Sequence, residues 1–271
     1  MEAVAPAETP ANADARNGQP AILLDHVTKK FGDRKVLDDV TLDIRGGTAF
    51  CLLGRSGTGK SVTLKHIIGL MRPDRGHVFV HGRDVTALEG PDLAAVRRTM
   101  GFLFQNAALF DSISVGENVA IVPRLERWEN DRVASRVREL LDLVGLAGHQ
   151  FATRWPDELS GGQRQRVGVA RALAIDPPVL LMDEPFGALD PLTRAELHGE
   201  FRRIQQRVRK TVIIVTHDMA EAFALGDRVG VIDEGRLVAC DRPAAMAVAQ
   251  DPRVRRLLDA IPTIDARLKP A

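Results

Sequence analysis

The sequence predicts an α/β fold: a mixed sheet flanked by helices, with an antiparallel β subdomain at its N-terminal end and a helical subdomain inserted into it. Three observations carry this. Short apolar runs suited to buried parallel strands recur at residues 48–53, 179–182, 212–215 and 229–232. Helical patterns separate them, at 62–70, 191–209 and 219–225. Residues 90–175 change character, and helical periodicity dominates at 93–98, 133–144 and 164–174.

In chain order, residues 1–20 are rich in Ala and Pro and carry Glu2, Glu8 and Asp14 around no apolar core. They are expected to form a disordered tail rather than a secretory signal or transit peptide. Two strand-like runs, 22–31 and 35–44, flank a Gly32-Asp33 turn. The run at 48–53 leads into a glycine-rich loop and a helix that Pro73 and Gly76 follow. Short strand-like runs stand at 77–80 and 101–104, and two short helices at 244–249 and 254–260. The expected division is a main α/β unit over 21–240, a helical insertion within it at about 90–175, and a helical C-terminal extension over 241–271.

Composition narrows the function classes. Net charge is +1, from 37 basic and 36 acidic residues, so no global field draws the chain to nucleic acid or anionic lipid. No run approaches the ~18–20 apolar residues that cross a bilayer. The two cysteines, Cys51 and Cys240, form neither a disulfide framework nor metal-ligand spacing, which suits a reducing compartment.

The chemistry concentrates in four places. Gly54-Arg55-Ser56-Gly57-Thr58-Gly59-Lys60-Ser61 matches G-x-x-x-x-G-K-[ST] between a strand and a helix. Its backbone N–H groups and the helix N-terminus suit a triphosphate, Lys60 reaches the β- and γ-phosphates, and the Ser61 hydroxyl ligates Mg²⁺. Asp183 and Glu184 end an apolar strand where open α/β sheets bind ligands. Asp183 is assigned to the Mg²⁺ shell and Glu184 to polarising the attacking water. His217 closes the strand-like run before Asp218; a lone His there is more often structural, and its place in this pattern favours a contact with the γ-phosphate. Ser160-Gly161-Gly162-Gln163 reads as a capping box for the helix at 164–175. Capping explains Ser160 and Gln163, but two glycines at a helix start cost propensity, and close approach of a phosphate accounts for them.

Together the segments 54–61, 159–163, 179–184, Ala188-Leu189-Asp190 and His217 resemble the motif series of ABC-type ATPases over residues 20–240. The resemblance implies ATP and Mg²⁺ as cofactors and a head-to-tail homodimer. Each ATP would lie between one copy's 54–61 loop with the adjoining Val62 and the other copy's Ser160, Gly161, Gly162 and Gln163. It also implies that Gln105 couples γ-phosphate and Mg²⁺ to the helical insertion, and that Asp190 acts across the dimer. The family commonly stacks adenine on Tyr; this chain has none, and Phe31 is the candidate ring, with a core position in the first hairpin as the alternative. Val62 stands where Thr is frequent and Gly187 where Ser is frequent.

The lack of a spanning segment implies a separate permease. Ala107, Ala108, Leu109, Phe110, Ile113 and Val115 form an apolar cluster that is either the permease dock or core of the insertion. The wording of residues 54–70 and 103–112 resembles the ATPases of Mla/Mce-type lipid transport systems. That resemblance implies a permease like MlaE, a periplasmic lipid-binding Mla/Mce protein, a small accessory subunit, and a peripheral place on the cytoplasmic face of the inner membrane. The C-terminal segment then either reaches to the partner ATPase or caps its own fold. Alternatives are an importer or exporter ATPase for amino acids or ions, a soluble relative acting on DNA or ribosomes, and a non-catalytic binding module. The single nucleotide unit, the absence of sustained heptads and the intact Lys60, Asp183, Glu184 and His217 favour the transporter.

Overall fold

A computed structural model describes residues 20–187, 191–208 and 210–259. The expected disordered tail, Ala188-Leu189-Asp190 and the end of the C-terminal extension lie outside the described residues.

Two sheets form the frame. Strands β1 (Ile22–Phe31) and β2 (Arg34–Ile44) make a hairpin about the Gly32-Asp33 turn. With β4 (Arg75–Val80) and β5 (Arg83–Asp84) they build an antiparallel sheet in the order β2-β1-β4-β5. The second sheet holds β3 (Ala49–Leu53), β6 (Met100–Leu103), β7 (Val179–Asp183), β8 (Thr211–Thr216), β9 (Arg228–Asp233) and β10 (Arg236–Asp241). Its order is β10-β9-β3-β8-β7-β6, all parallel except β10, which returns antiparallel to β9.

The central strands are apolar throughout because both faces are covered. Phe50 and Leu52 of β3 join a core with Ile22, Leu24, Leu37 and Val78 of the antiparallel sheet. Ala49, Cys51 and Leu53 point the other way, into a core shared with the helices. Alternation along the strand therefore sorts side chains between two cores rather than between core and water.

The helices are α1 (Lys60–Ile67), α2 (Gly90–Arg97), α3 (Val115–Leu125), α4 (Asn130–Leu143), α5 (Gly148–Phe151), α6 (Gly161–Ala172), α7 (Pro191–Val208), α8 (Met219–Leu225), α9 (Pro243–Ala247) and α10 (Pro252–Asp259). Helices α3, α4 and α6 form the helical unit through Val119, Val137, Leu140, Leu141 and Val167, all buried. Inside the mostly helical insertion over 90–175, the strand-like run expected at 101–104 forms β6, which pairs with β7 at the edge of the main sheet. Helix α6 starts at Gly161, three residues before the expected Arg164, because Ser160 is its N-cap. Val254 of α10 is buried in the same core as the main-sheet residues, so the described part of the C-terminal extension packs on its own chain.

No described helix is long and apolar enough to cross a membrane.

Candidate active site

The carboxyl ends of β3, β7 and β8 converge on one edge of the main sheet, and the loop 54–59 rises from β3 into α1. Gly59 holds φ +103°, a conformation that side chains resist, and a Cβ there would sit 2.6 Å from the Val36 carbonyl. At Gly54 the demand is for space instead: a Cβ would meet the Ile232 carbonyl at 2.5 Å.

Lys60 is buried, 4% exposed, and its ammonium donates to the carbonyls of Gly54 (2.8 Å) and Arg55 (3.0 Å). Burial holds it below its ordinary pKa, against the pull of the Glu184 carboxylate 3.7 Å away. Ser61 donates to Asp183 Oδ1 at 2.8 Å. Burial raises the Asp183 pKa; the Ser61 hydrogen bond opposes this, while Glu184 adds to it. Two neighbouring carboxyls withdrawn from water favour a cation beside them.

Glu184 takes the left-handed φ of +45°, uncommon outside glycine, and its N–H donates to the Val215 carbonyl at 2.9 Å. His217 Nδ1 lies 3.3 Å from Glu184 Oε2. Lysine, carboxylate and imidazole thus meet at one strand edge.

Phe31, Ser56, Gly57, Gly59, Lys60, Ser61, Val62, Gln105 and Glu184 line a common cleft of about 370 Å³. Phe31 is 49% exposed there, which answers the alternative that it serves the hairpin core. Thr58 faces inward on its own loop, its hydroxyl bonded to the Arg55 carbonyl at 2.9 Å. The segment 159–163 lines no part of this cleft. Ser160 is exposed, and its capping box is closed, with Ser160 N–H on Gln163 Oε1 at 3.0 Å and Gln163 N–H on Ser160 Oγ at 3.3 Å.

A phosphate loop at the end of a buried strand, a paired acid and an exposed glycine turn at a helix start are matched by a family model. The description "ABC transporter" fits residues 37–187. This chain belongs to the ABC transporter ATP-binding family. The ATPase is 40% identical to the osmoprotectant import ATP-binding protein OsmV of Salmonella typhimurium, over 91% of this chain and 70% of that one. It is 42% identical to the glycine betaine/carnitine/choline transport ATP-binding protein OpuCA of Bacillus subtilis, over 81% of this chain and 57% of that one. The chain thus spans little more than half the length of OpuCA. Among solved structures, a dimeric ATP-binding cassette in a post-hydrolysis state bound to ADP and Pi superposes with a TM-score of 0.73 at 33% identity, covering 82% of this chain and 98% of that one. The chain is an ATPase that uses ATP with Mg²⁺.

These relatives overturn the lipid-transport expectation. The similar proteins are named for osmoprotectants and glycine betaine, not lipids. With it go the permease resembling MlaE, the periplasmic Mla/Mce protein and the small accessory subunit inferred from the same wording. The physical reason is plain: residues 54–70 and 103–112 build the nucleotide cleft and its adjoining loop, so their wording reports ATP chemistry shared across transporters.

Sequence reading also missed residues of this ATPase. Arg34 stands on the cleft wall and donates to the Gly57 carbonyl at 3.1 Å. Arg171 of α6 donates to the carbonyls of Ala107 (2.5 Å) and Ala108 (2.9 Å), in a run where Asn106, Ala107 and Ala108 all hold positive φ. Asn118, fully buried, accepts from Phe110 N–H and donates to the carbonyls of Phe110, Ile113 and Ser114. The apolar cluster after Gln105 accordingly divides: Ala107 and Val115 are core at 0% exposure, while Phe110 is 56% exposed.

Proposed function

We propose that this chain is the ATP-hydrolysing subunit of an importer for a small osmoprotectant of the glycine betaine type. It works as a head-to-tail homodimer, peripheral to the cytoplasmic face of the plasma membrane, and drives a separate permease. The similarity to OsmV and OpuCA carries the cargo reading, since those proteins are named for osmoprotectants and for glycine betaine, carnitine and choline. The exclusion of 159–163 from the chain's own cleft supports the dimer, because that turn then has an exposed N-terminus free to meet a partner's nucleotide.

In this reading the adenine stacks on Phe31, and the backbone N–H groups of 57–61 with the N-terminus of α1 hold the polyphosphate. Lys60 exchanges its two carbonyl acceptors for the β- and γ-phosphates. Ser61 and Asp183 present hard oxygen donors 2.8 Å apart, the set that Mg²⁺ takes, with Gln105 on the same cleft wall. An Mg²⁺ ion held by these residues would supply positive charge that offsets that of the polyphosphate. Glu184 accepts a proton from the attacking water, and His217 keeps the water and γ-phosphate in register with it. Ser160 and Gly162 of the second copy close the site from the far side, and Asp190 contributes across the same interface. Gln105 senses the γ-phosphate, and the loop that follows, clamped by Arg171, carries the change to α6 and the permease.

The cargo reading is tested with the ATPase, its permease and its solute-binding partner reconstituted in proteoliposomes. ATP turnover is expected to rise with glycine betaine, carnitine or choline. Stimulation by an inorganic anion or an amino acid, and by none of these three, would refute it.

A further inference from the structure

Glu221 is a buried acid that the hydrolytic scheme leaves unused. It sits in the first turn of α8 at 2% exposure, and its Oε1 has no hydrogen-bond partner among the described residues. Its Oε2 accepts from the Thr216 hydroxyl at 2.9 Å. That hydroxyl in turn accepts the Asp218 N–H at 3.0 Å, so the residues on either side of His217 are tied to one oxygen. The Thr216 carbonyl accepts the N–H of Gly54, the first residue of the phosphate loop, at 3.3 Å. Asp218 closes the arrangement by capping α8, its Oδ1 accepting from Ala220 N–H (2.8 Å) and Glu221 N–H (3.2 Å).

We propose that Glu221 is a positioning residue for His217: as a neutral carboxylic acid it pins the Thr216 hydroxyl and so fixes the backbone from which the imidazole reaches Glu184. A carboxylate with one hydrogen bond and one bare buried oxygen is costly, whereas the protonated acid loses far less on burial. Burial pushes the Glu221 pKa up to about 8, against the Thr216 hydrogen bond, which lowers it, so the acid holds its proton at neutral pH. The consequence is local. Without Glu221 the Thr216 hydroxyl is released, the turn at 216–218 loosens, and His217 leaves its 3.3 Å contact with Glu184.

This rests on the reading of His217 above, and the test separates the two. Steady-state ATP hydrolysis is measured for the wild-type ATPase and for Glu221→Ala, Glu221→Gln, Thr216→Val, His217→Ala and the Glu221→Ala/His217→Ala double variant. Glu221→Ala and Thr216→Val should each lower kcat roughly tenfold or more with KM for ATP little changed, as a displaced reacting group does. Glu221→Gln, which mimics the neutral acid, should rescue most of that loss. In the double variant Glu221→Ala should add nothing to His217→Ala, since both act on one step. Wild-type turnover in His217→Ala would remove the His217 reading itself. Additive losses in the double variant, Glu221→Gln as impaired as Glu221→Ala, or a folded Thr216→Val at wild-type kcat would each overturn the role given to Glu221.

Discussion

The phosphate loop and the glycine turn at 159–163 are both helix N-termini, yet they are built in opposite ways. At the phosphate loop the Lys60 ammonium is buried and occupied by the Gly54 and Arg55 carbonyls, Ser61 is bonded to Asp183, and Glu184 is held against Val215. At the turn, Ser160 and Gln163 close on each other, the Arg164 guanidinium donates to the Leu159 carbonyl at 2.7 Å, and Ser160 faces solvent. One terminus is surrounded by lysine, hydroxyl and carboxyl groups already bonded to one another; the other presents an exposed turn at the start of a helix. A charged, preorganised half and a bare docking half make sense as complementary faces of one site shared between two chains.

The largest effect that would break this comparison belongs to Glu184. Replacing Glu184 by Gln keeps the volume and removes the carboxylate proposed as the base, so ATP binding should persist while hydrolysis falls on the order of 10²–10⁴-fold. Single-turnover assays with labelled ATP decide it, and unchanged turnover would strip the phosphate-loop half of its claim to the chemistry.

Next in size is the bare half. Ser160→Arg places a long cation where a phosphate should dock, so hydrolysis should fall roughly 10²-fold while nucleotide affinity of the separate chain stays as it was. Mixing Ser160→Arg with Glu184→Gln sharpens the point. In the mixed dimer one site pairs the intact loop and Glu184 of the first variant with the intact turn of the second, so part of the lost activity should return. Two inactive variants that stay inactive on mixing would show that no site is shared.

The preorganised half also stands on a buried acid, which gives it a pH dependence that the turn lacks. The Glu221 pKa lies at about 8 in the folded chain against an ordinary 4.5, raised chiefly by burial with Asp218 and Glu184 adding to it and Arg194 opposing; the buried Cys51 thiol of β3 is within its electrostatic reach. A raised acid pKa means that the folded state keeps a proton the unfolded state has given up. The stability is therefore fully present below about 4.5 and declines as pH rises through about 8. The slope is bounded by about 1.4 kcal/mol per pH unit, the value for one proton. Melting curves of wild type and Glu221→Gln from pH 6 to 8 should diverge, with the wild type losing ground; parallel curves would show that this carboxyl is already ionised in the folded chain.

Much of this architecture was legible in the sequence because its signals are local. The apolar runs that became β3, β7, β8 and β9 needed no tertiary information, since strands covered on both faces are apolar at every position. Glycine spacing and Lys60-Ser61 located the phosphate loop for the same reason. What escaped was set by contacts distant in sequence. Arg34 meets Gly57 across 23 positions and Arg171 meets Ala107 across 64. Helix α3 was hidden by Pro123 near its end, although Ser114 and Glu117 do form the capping box that announces it. Within the helical run 219–225 no sequence signal sets Glu221 apart, and only its burial distinguishes it. The cargo was missed for a different reason: the residues compared were those that handle nucleotide.

The smallest expected effect concerns the rim of the preorganised half. Phe31 is the last residue of β1, pairs with Arg34 across the hairpin, and shows a half-exposed ring on the cleft wall. A ring in that position supplies a stacking face for adenine without a hydroxyl, so Phe31→Ala should weaken ATP and ADP alike by about tenfold, in line with ~1–1.5 kcal/mol for an aromatic pair. Because the ring touches no transferring group, kcat at saturating ATP should hold, which separates this variant from those at Glu184 and Ser160. Phe31→Tyr should bind as the wild type does. Equal loss with Tyr and Ala would mean that the pocket measures the edge of the ring rather than its face, and a fall in kcat would place Phe31 closer to the chemistry than the cleft geometry does. Nucleotide titrations followed by turnover at saturation, on the same preparations, distinguish these outcomes.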